Sequence, residues 1–141
     1  MKNITRILIL VVTILPLFAA AQLRQSQRIV TNVPFEFVVG SKTVPAGVWE
    51  VQPLADGGST LAIRNRDAHL SSLANVSKDE SRGASAYCAL IFHRYGDRYF
   101  LAGVKIEGTA IRYRLPESKR EAEMRAQNVA PKEEILLASL K

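Results

Sequence analysis

The chain has 141 residues, with 19 Lys and Arg, 13 Asp and Glu, and one cysteine. That length holds one domain with a modest core. A single cysteine excludes an intramolecular disulfide, and a formal charge of +6 with both signs interspersed lacks the one-sided basic footprint of a nucleic-acid binder.

Residues 1–21 read as a secretory signal peptide. Lys2 and Arg6 make a positive start, and Ile7 to Phe18 is an apolar run broken late by Pro16. Ala19-Ala20-Ala21 then offers small residues for cleavage before Gln22. A bilayer crossing takes roughly 20 apolar residues, more than this run supplies. No cysteine follows the run, so a lipid anchor is not expected. The expected destination is the periplasm or the extracellular space. Loss of Lys2 and Arg6 leaves 17 basic residues against 13 acidic ones, a formal +4, an excess that suits loose contact with anionic surfaces.

Residues 22–28 are polar and expected to be loose, and residues 29–141 form the single domain. From Ile29 to Val39 the pattern alternates, with Val33, Phe35, Phe37 and Val39 on one face, as in a half-buried strand. Pro34 cannot donate to a ladder, which predicts an edge strand or a bulge. Gly40-Ser41-Lys42 and Pro45-Ala46-Gly47 read as turns. The strand from Val48 to Gln52 places Trp49 and Val51 where they can meet Phe35 and Phe37. After the turn Asp56-Gly57-Gly58-Ser59 come short strands at 60–66 and 69–76, then a polar loop from Ser77 to Ser85 without an apolar anchor.

The clearest hairpin joins 86–95 to 98–106 through Gly96-Asp97, a pair suited to a type II′ turn. That turn predicts Arg94 opposite Tyr99, His93 opposite Phe100, Phe92 opposite Leu101, Leu90 opposite Gly103, and Ala89 opposite Val104. Both faces are apolar, which predicts central strands. Residues 110–115 read as a further strand. Ser118-Lys119-Arg120-Glu121 fits a capping box opening a charged surface helix at about 118–128. There Lys119–Glu123 and Glu121–Arg125 are spaced for ion pairs. Residues 134–140 are apolar enough to dock as a strand or a short helix. The whole predicts an all-β domain, a small antiparallel sandwich or partly closed barrel, with one C-terminal surface helix.

No chemistry-bearing motif stands out. His93 sits in mid-strand and reads as a structural imidazole with a hydrogen-bonded partner. Cys88, five residues away, points to the opposite face and reads as a buried small hydrophobe, an intermolecular disulfide being the sharper alternative. No G-x-S-x-G elbow or phosphate loop is present, and Gly57-Gly58 is an isolated turn. His69, His93 and Asp97 are too scattered to predict a metal site. Asp79-Glu80 and Glu133-Glu134 read as solvated surface. No cofactor is expected.

Two surfaces attract attention. Arg94, Tyr95, Asp97, Arg98 and Tyr99 crowd the hairpin tip, and exposed Tyr and Arg are typical of contact sites. Arg64, Arg66, Arg112 and Arg114 would form a basic row if their strands were neighbours, and would then attract a polyanion.

Two blocks carry a resemblance. One is Val33-Pro34-Phe35-Glu36-Phe37-Val38-Val39-Gly40 with Pro45-Ala46-Gly47-Val48-Trp49-Glu50-Val51. The other is Phe92-His93-Arg94-Tyr95-Gly96-Asp97-Arg98-Tyr99-Phe100-Leu101 with Leu115-Pro116 and its charged helix. Over roughly residues 30–127 the chain resembles small secreted proteins of unknown function from acidobacterial-type soil bacteria, with Trp49 where such proteins often carry tyrosine. The resemblance implies secretion and a β-rich fold, and brings no activity or site residues. The resulting expectation is a non-catalytic envelope or periplasmic module that binds a protein or an envelope polymer and no nucleic acid. A carrier of a small apolar ligand in a barrel, and a hydrolase-type enzyme using a histidine, are the alternatives.

Overall fold

The computed structural model describes residues 27–54, 58–127 and 130–141. The expected leader, residues 22–26 of the loose segment, Asp56-Gly57 and Asn128 lie outside the described residues. Among the described residues, eleven strands form a single curled sheet, a half-barrel with one short helix. The strands are β1 (Ile29–Val33), β2 (Phe37–Val39), β3 (Lys42–Val44), β4 (Gly47–Pro53), β5 (Thr60–Asn65) and β6 (Leu70–Asn75). They continue with β7 (Ser77–Glu80), β8 (Cys88–Tyr95), β9 (Arg98–Lys105), β10 (Ile111–Arg114), the helix α1 (Lys119–Ala126) and β11 (Lys132–Leu140). Their order across the sheet is β3-β2-β9-β8-β11-β1-β4-β5-β6, with β10 also on β9 and β7 on β10. No helix among the described residues is long and apolar enough to cross a membrane.

Pro34 explains the first departure from the expected pattern. The alternation from Ile29 to Val39 is not one strand. Pairing of β1 with β4 ends at Val33, and the chain crosses through Pro34-Phe35-Glu36 to enter the sheet again as β2 beside β9. A proline cannot continue the ladder, so β1 stays a central strand and the proline becomes a corner. The crossing brings β2 in parallel to β9, and the sheet is therefore mixed rather than purely antiparallel. A second crossing, through the buried Val76 between β6 and β7, ties the other arm of the curl to β10.

Inside the curl the aromatic rings meet in sequence. Trp49 contacts Phe37 at 5.3 Å, Phe37 contacts Phe92 at 5.3 Å, Phe92 contacts Phe35 at 5.2 Å, and Phe35 stacks on Tyr99 at 3.8 Å. Leu61, Ile63, Leu90, Leu101, Val104 and Ile106 fill the remainder. Cys88 belongs to this packing and its Sγ accepts the Glu107 N–H at 3.3 Å.

The hairpin β8–β9 has the expected turn, with Gly96 at φ +61°. Its first three pairs follow the expected register, but a bulge between Ile91 and Phe92 shifts the rest: Ile91 faces Gly103, Leu90 faces Val104 and Ala89 faces Lys105. The extra residue is Ala102, whose carbonyl accepts the Leu115 N–H at 2.9 Å. The shift turns Val104 inward beside Leu90 and turns Gly103 toward β10. A Cβ at Gly103 would lie 3.0 Å from the Tyr113 carbonyl oxygen, so the bulge puts the smallest residue at the tightest approach.

Two further expectations are corrected. Residues 77–80, expected as loop, pair with β10 over Ser77–Glu80. They do so without an apolar face because Tyr113 packs in the core, Lys78 Nζ lies 6.0 Å from its ring, and Arg114 holds Asp79 at 2.6 Å. In α1 the expected ion pairs do not form. Glu121 turns inward and Arg125 pairs with Glu117 at 2.8 Å. The 134–140 segment is strand, paired with β8 along most of its length and with β1 at Ile29 and Val30.

Gly47 opens β4 at φ +144°, and a Cβ there would stand 2.9 Å from the Asn65 Nδ2. Asn65 is buried and its Oδ1 accepts the Ala68 N–H at 2.9 Å. Gly47→Ala is therefore expected to cost about 1–3 kcal/mol through backbone strain and displacement of Asn65, read as a lower midpoint in urea unfolding.

Candidate functional site

The hairpin tip divides its five candidate residues between two faces. Arg94 and Tyr99 lie opposite each other on the inner side, where the Arg94 guanidinium sits 5.3 Å from the Tyr99 ring and Phe35 covers that ring's other side. Arg94 is fixed by its bonds to the Gly96 carbonyl at 2.7 Å and to Glu134 at 3.0 Å. The Glu134 hydrogen bond holds its pKa above the ordinary guanidinium value. Asp97 and Arg98 are exposed. Tyr95 points the other way and is buried beneath α1, so it offers no surface to a partner.

That burial follows from the outer face of β8 and β9. Val38, Tyr95 and Phe100 form a small second core with Met124 of α1 above it. Glu121, the third helical residue, is buried as well. Ser118 caps the helix by accepting the Glu121 N–H at 3.2 Å. The Glu121 carboxylate does not return to the cap. It accepts the His93 Nδ1–H at 2.6 Å and the Tyr95 hydroxyl at 3.4 Å. Strand β8 and helix α1 thus meet on one carboxylate.

Two clefts flank α1. The first, of about 550 Å³, lies between β2, the hairpin tip and the helix. Phe37, Val38, Tyr99 and Phe100 give it an aromatic and apolar lining, while Asp97, Arg98, Arg120, Glu123 and Glu36 add charge. Arg120 is held there by the Thr43 hydroxyl at 3.1 Å. Asp97, Arg98 and Tyr99 of the tip therefore share a concave surface with α1. The second cleft, of about 490 Å³, is lined by His93, Glu121, Arg112, Arg114, Arg125, Glu117 and Glu133. A histidine oriented by a carboxylate is half of a nucleophilic dyad, yet no Ser, Thr or Cys lines this cleft. Among the described residues no group of three His, Cys, Asp or Glu is placed to hold a metal.

The basic row does not exist. Arg64 lies on β5, between β4 and β6, whereas Arg112 and Arg114 lie on β10, between β9 and β7. Sheet order separates them, and most of these arginines are occupied: Arg66 with Glu50 at 3.0 Å, Arg112 with Glu133 at 3.4 Å and Arg114 with Asp79 at 2.6 Å. Glu133 and Glu134, expected as solvated surface, point to opposite faces and each grips an arginine. The residues that sequence reasoning missed are Phe35 as a stacking partner and Glu121 as a buried acid. A capping motif marks Glu121 as a helix-start residue and says nothing about its partner on β8.

Comparison with protein-family models, with curated proteins and with solved structures finds no match.

Truncating Glu121→Ala leaves the His93 and Tyr95 donors without their acceptor, and is expected to cost about 1–3 kcal/mol, measured by chemical denaturation. The phenols give a pH dependence. Burial, then the nearby Glu121, raises the Tyr95 pKa above 10.0, and burial does the same for Tyr113. A raised phenol pKa leaves its stability contribution intact below the ordinary value and removes it as pH climbs through the folded-state value. Stability is thus expected to fall at pH above 10, and Tyr95→Phe to move that fall to higher pH, followed by circular dichroism with tyrosinate absorbance.

Proposed function

We propose that this protein is a non-catalytic binding module that acts in the periplasm or outside the cell. Its contact site is the cleft between the hairpin tip and α1. The observation that carries this reading is the convergence of Asp97, Arg98 and Tyr99 with Arg120 and Glu123 around an aromatic surface. Aromatic area beside charged groups is the composition of interface hot spots. Tyr99 is stacked on Phe35 and enters a complex already ordered, which lowers the entropy cost of contact.

The charges favour a protein partner over a polyanionic polymer. The cleft presents Arg98 and Arg120 together with Asp97, Glu123 and Glu36, a mixed pattern that a uniformly anionic chain would meet with repulsion. The separated arginines remove the main argument for a polymer. The leader motif and the resemblance to secreted proteins support the location. The filled interior, with Trp49, Phe37, Phe92 and Leu61 all nearly inaccessible, weighs against an apolar-ligand carrier.

The test is in-cell cross-linking of the tagged full chain in its native envelope, with partners identified by mass spectrometry. A stoichiometric partner is expected. Arg98→Ala is expected to lower its recovery about tenfold, or roughly 1.4 kcal/mol, with stability unchanged to within about 0.5 kcal/mol because Arg98 is exposed. Equal recovery with wild type and variant would reject the cleft as the site.

A further inference from the structure

The curl of the sheet leaves two strand edges facing across a gap. β3 and β6 end the strand order, and both line the same two clefts, of about 550 Å³ and about 270 Å³. Hydrogen-bond parity fixes which backbone groups face this seam. The Val76 N–H donates to Ser59 at 2.8 Å and the Leu54 N–H to Thr60 at 2.9 Å. Bonded pairs alternate in an antiparallel ladder. Ala74, Ser72 and Leu70 therefore direct their peptide groups to β5, and Asn75, Leu73 and Ser71 direct theirs into the seam. On β3 the pair flanking the two-residue turn is Val39 with Lys42, which leaves Thr43 facing the seam.

This edge lacks the usual protection. Native edges carry charge, proline or a bulge against pairing with other chains. β6 reads Leu-Ser-Ser-Leu-Ala-Asn, and Leu73 is 68 % exposed. Lys42 is the one charged residue lining the two clefts, and the neighbouring cleft at Gly40 and Ser41 adds Lys119 and Arg120. No carboxylate lines any of the three. β3 runs opposite to β6 across the gap, since Gly40 and Ser41 share a cleft with Asn75 while Val44 shares one with Leu70. The basic end of the seam is therefore the Asn75 end.

The geometry points to capture of an extended peptide in this seam as an added strand. It lies antiparallel to β6, the longer edge, with alternate small or β-branched side chains and an acidic residue at its N-terminal end beside Lys42 and Lys119. The site adjoins the cleft at the hairpin tip, sharing Thr43 and Arg120 with it, but it rests on the unpaired edge of β6 and stands or falls without that cleft.

The test uses the full chain and a capped octapeptide that alternates valine and threonine after one N-terminal aspartate. Amide exchange is read by NMR with millimolar peptide, and the fluorescence of Trp49, the only tryptophan and part of the seam's lining, gives the affinity. Exchange is expected to slow at Ser71, Leu73, Asn75 and Thr43. N-methylation of alternate peptide amides is expected to weaken binding at least about tenfold, and lysine in place of the aspartate to weaken it in a salt-dependent way. Because those changes are made in the peptide, folding of a variant does not enter. Absence of slowed exchange, slowing confined to residues 97–100, or indifference to N-methylation would overturn strand capture. Equal affinity of the lysine peptide would overturn the acidic assignment. Edge protection that appears without peptide and grows with protein concentration would give the seam to a second copy of the chain and overturn the peptide.

Discussion

The run of rings from Trp49 through Phe37, Phe92 and Phe35 to Tyr99 holds the two arms of the sheet together. A curled sheet that stays open has no ladder across its gap, so the curvature depends on what fills the inside. Edge-to-face contacts contribute about 0.5–1.5 kcal/mol each beyond the area they bury, and they fix angles as well as distances. The run starts on β4 beside the seam and ends on β9 at the hairpin tip. Both surfaces assigned to partners are thus anchored on one rigid interior element.

The outer face follows a different logic. A surface helix with little apolar area docks poorly through hydrophobic contact alone, and α1 contributes only Met124 to the second core. Its placement relies on Glu121, which accepts from His93 and Tyr95. Burying a carboxylate is costly unless its lone pairs are used, and here the two donors lie two residues apart on one strand. The same arrangement fixes the helix relative to Arg98 and Phe100, and so sets the width of the proposed contact cleft.

Local signals were legible in the sequence, and pairings between distant segments were not. Gly96-Asp97 set the turn, two-sided apolarity marked β8 and β9 as central, and the aromatic meeting of Trp49 with Phe37 could be read from alternation. Of the tip residues, Asp97, Arg98 and Tyr99 do share a concave surface, while Tyr95 belongs to the opposite face because side chains alternate along a strand. The bulge at Ala102 could not be read, since it answers to a donor on Leu115. β7 has no apolar period because its ladder to β10 and the ion pair at Asp79 replace one. The arginine row failed on sheet order, which depends on the crossings at Pro34 and Val76 and on no local pattern. The seam was equally hidden, because an unpaired edge is a property of the assembled sheet.

β11 lies in the middle of the strand order, between β8 and β1, yet it is the last of the eleven to leave the ribosome. Until it arrives, β8 and β1 are two unconnected edges and the inner face of the curl has no continuous wall. Ten strands therefore wait, without a finished core, for one that is synthesised after all of them. Non-local closure of this kind makes folding slow. If the chain is exported as proposed, this delay keeps it threadable for as long as the crossing lasts.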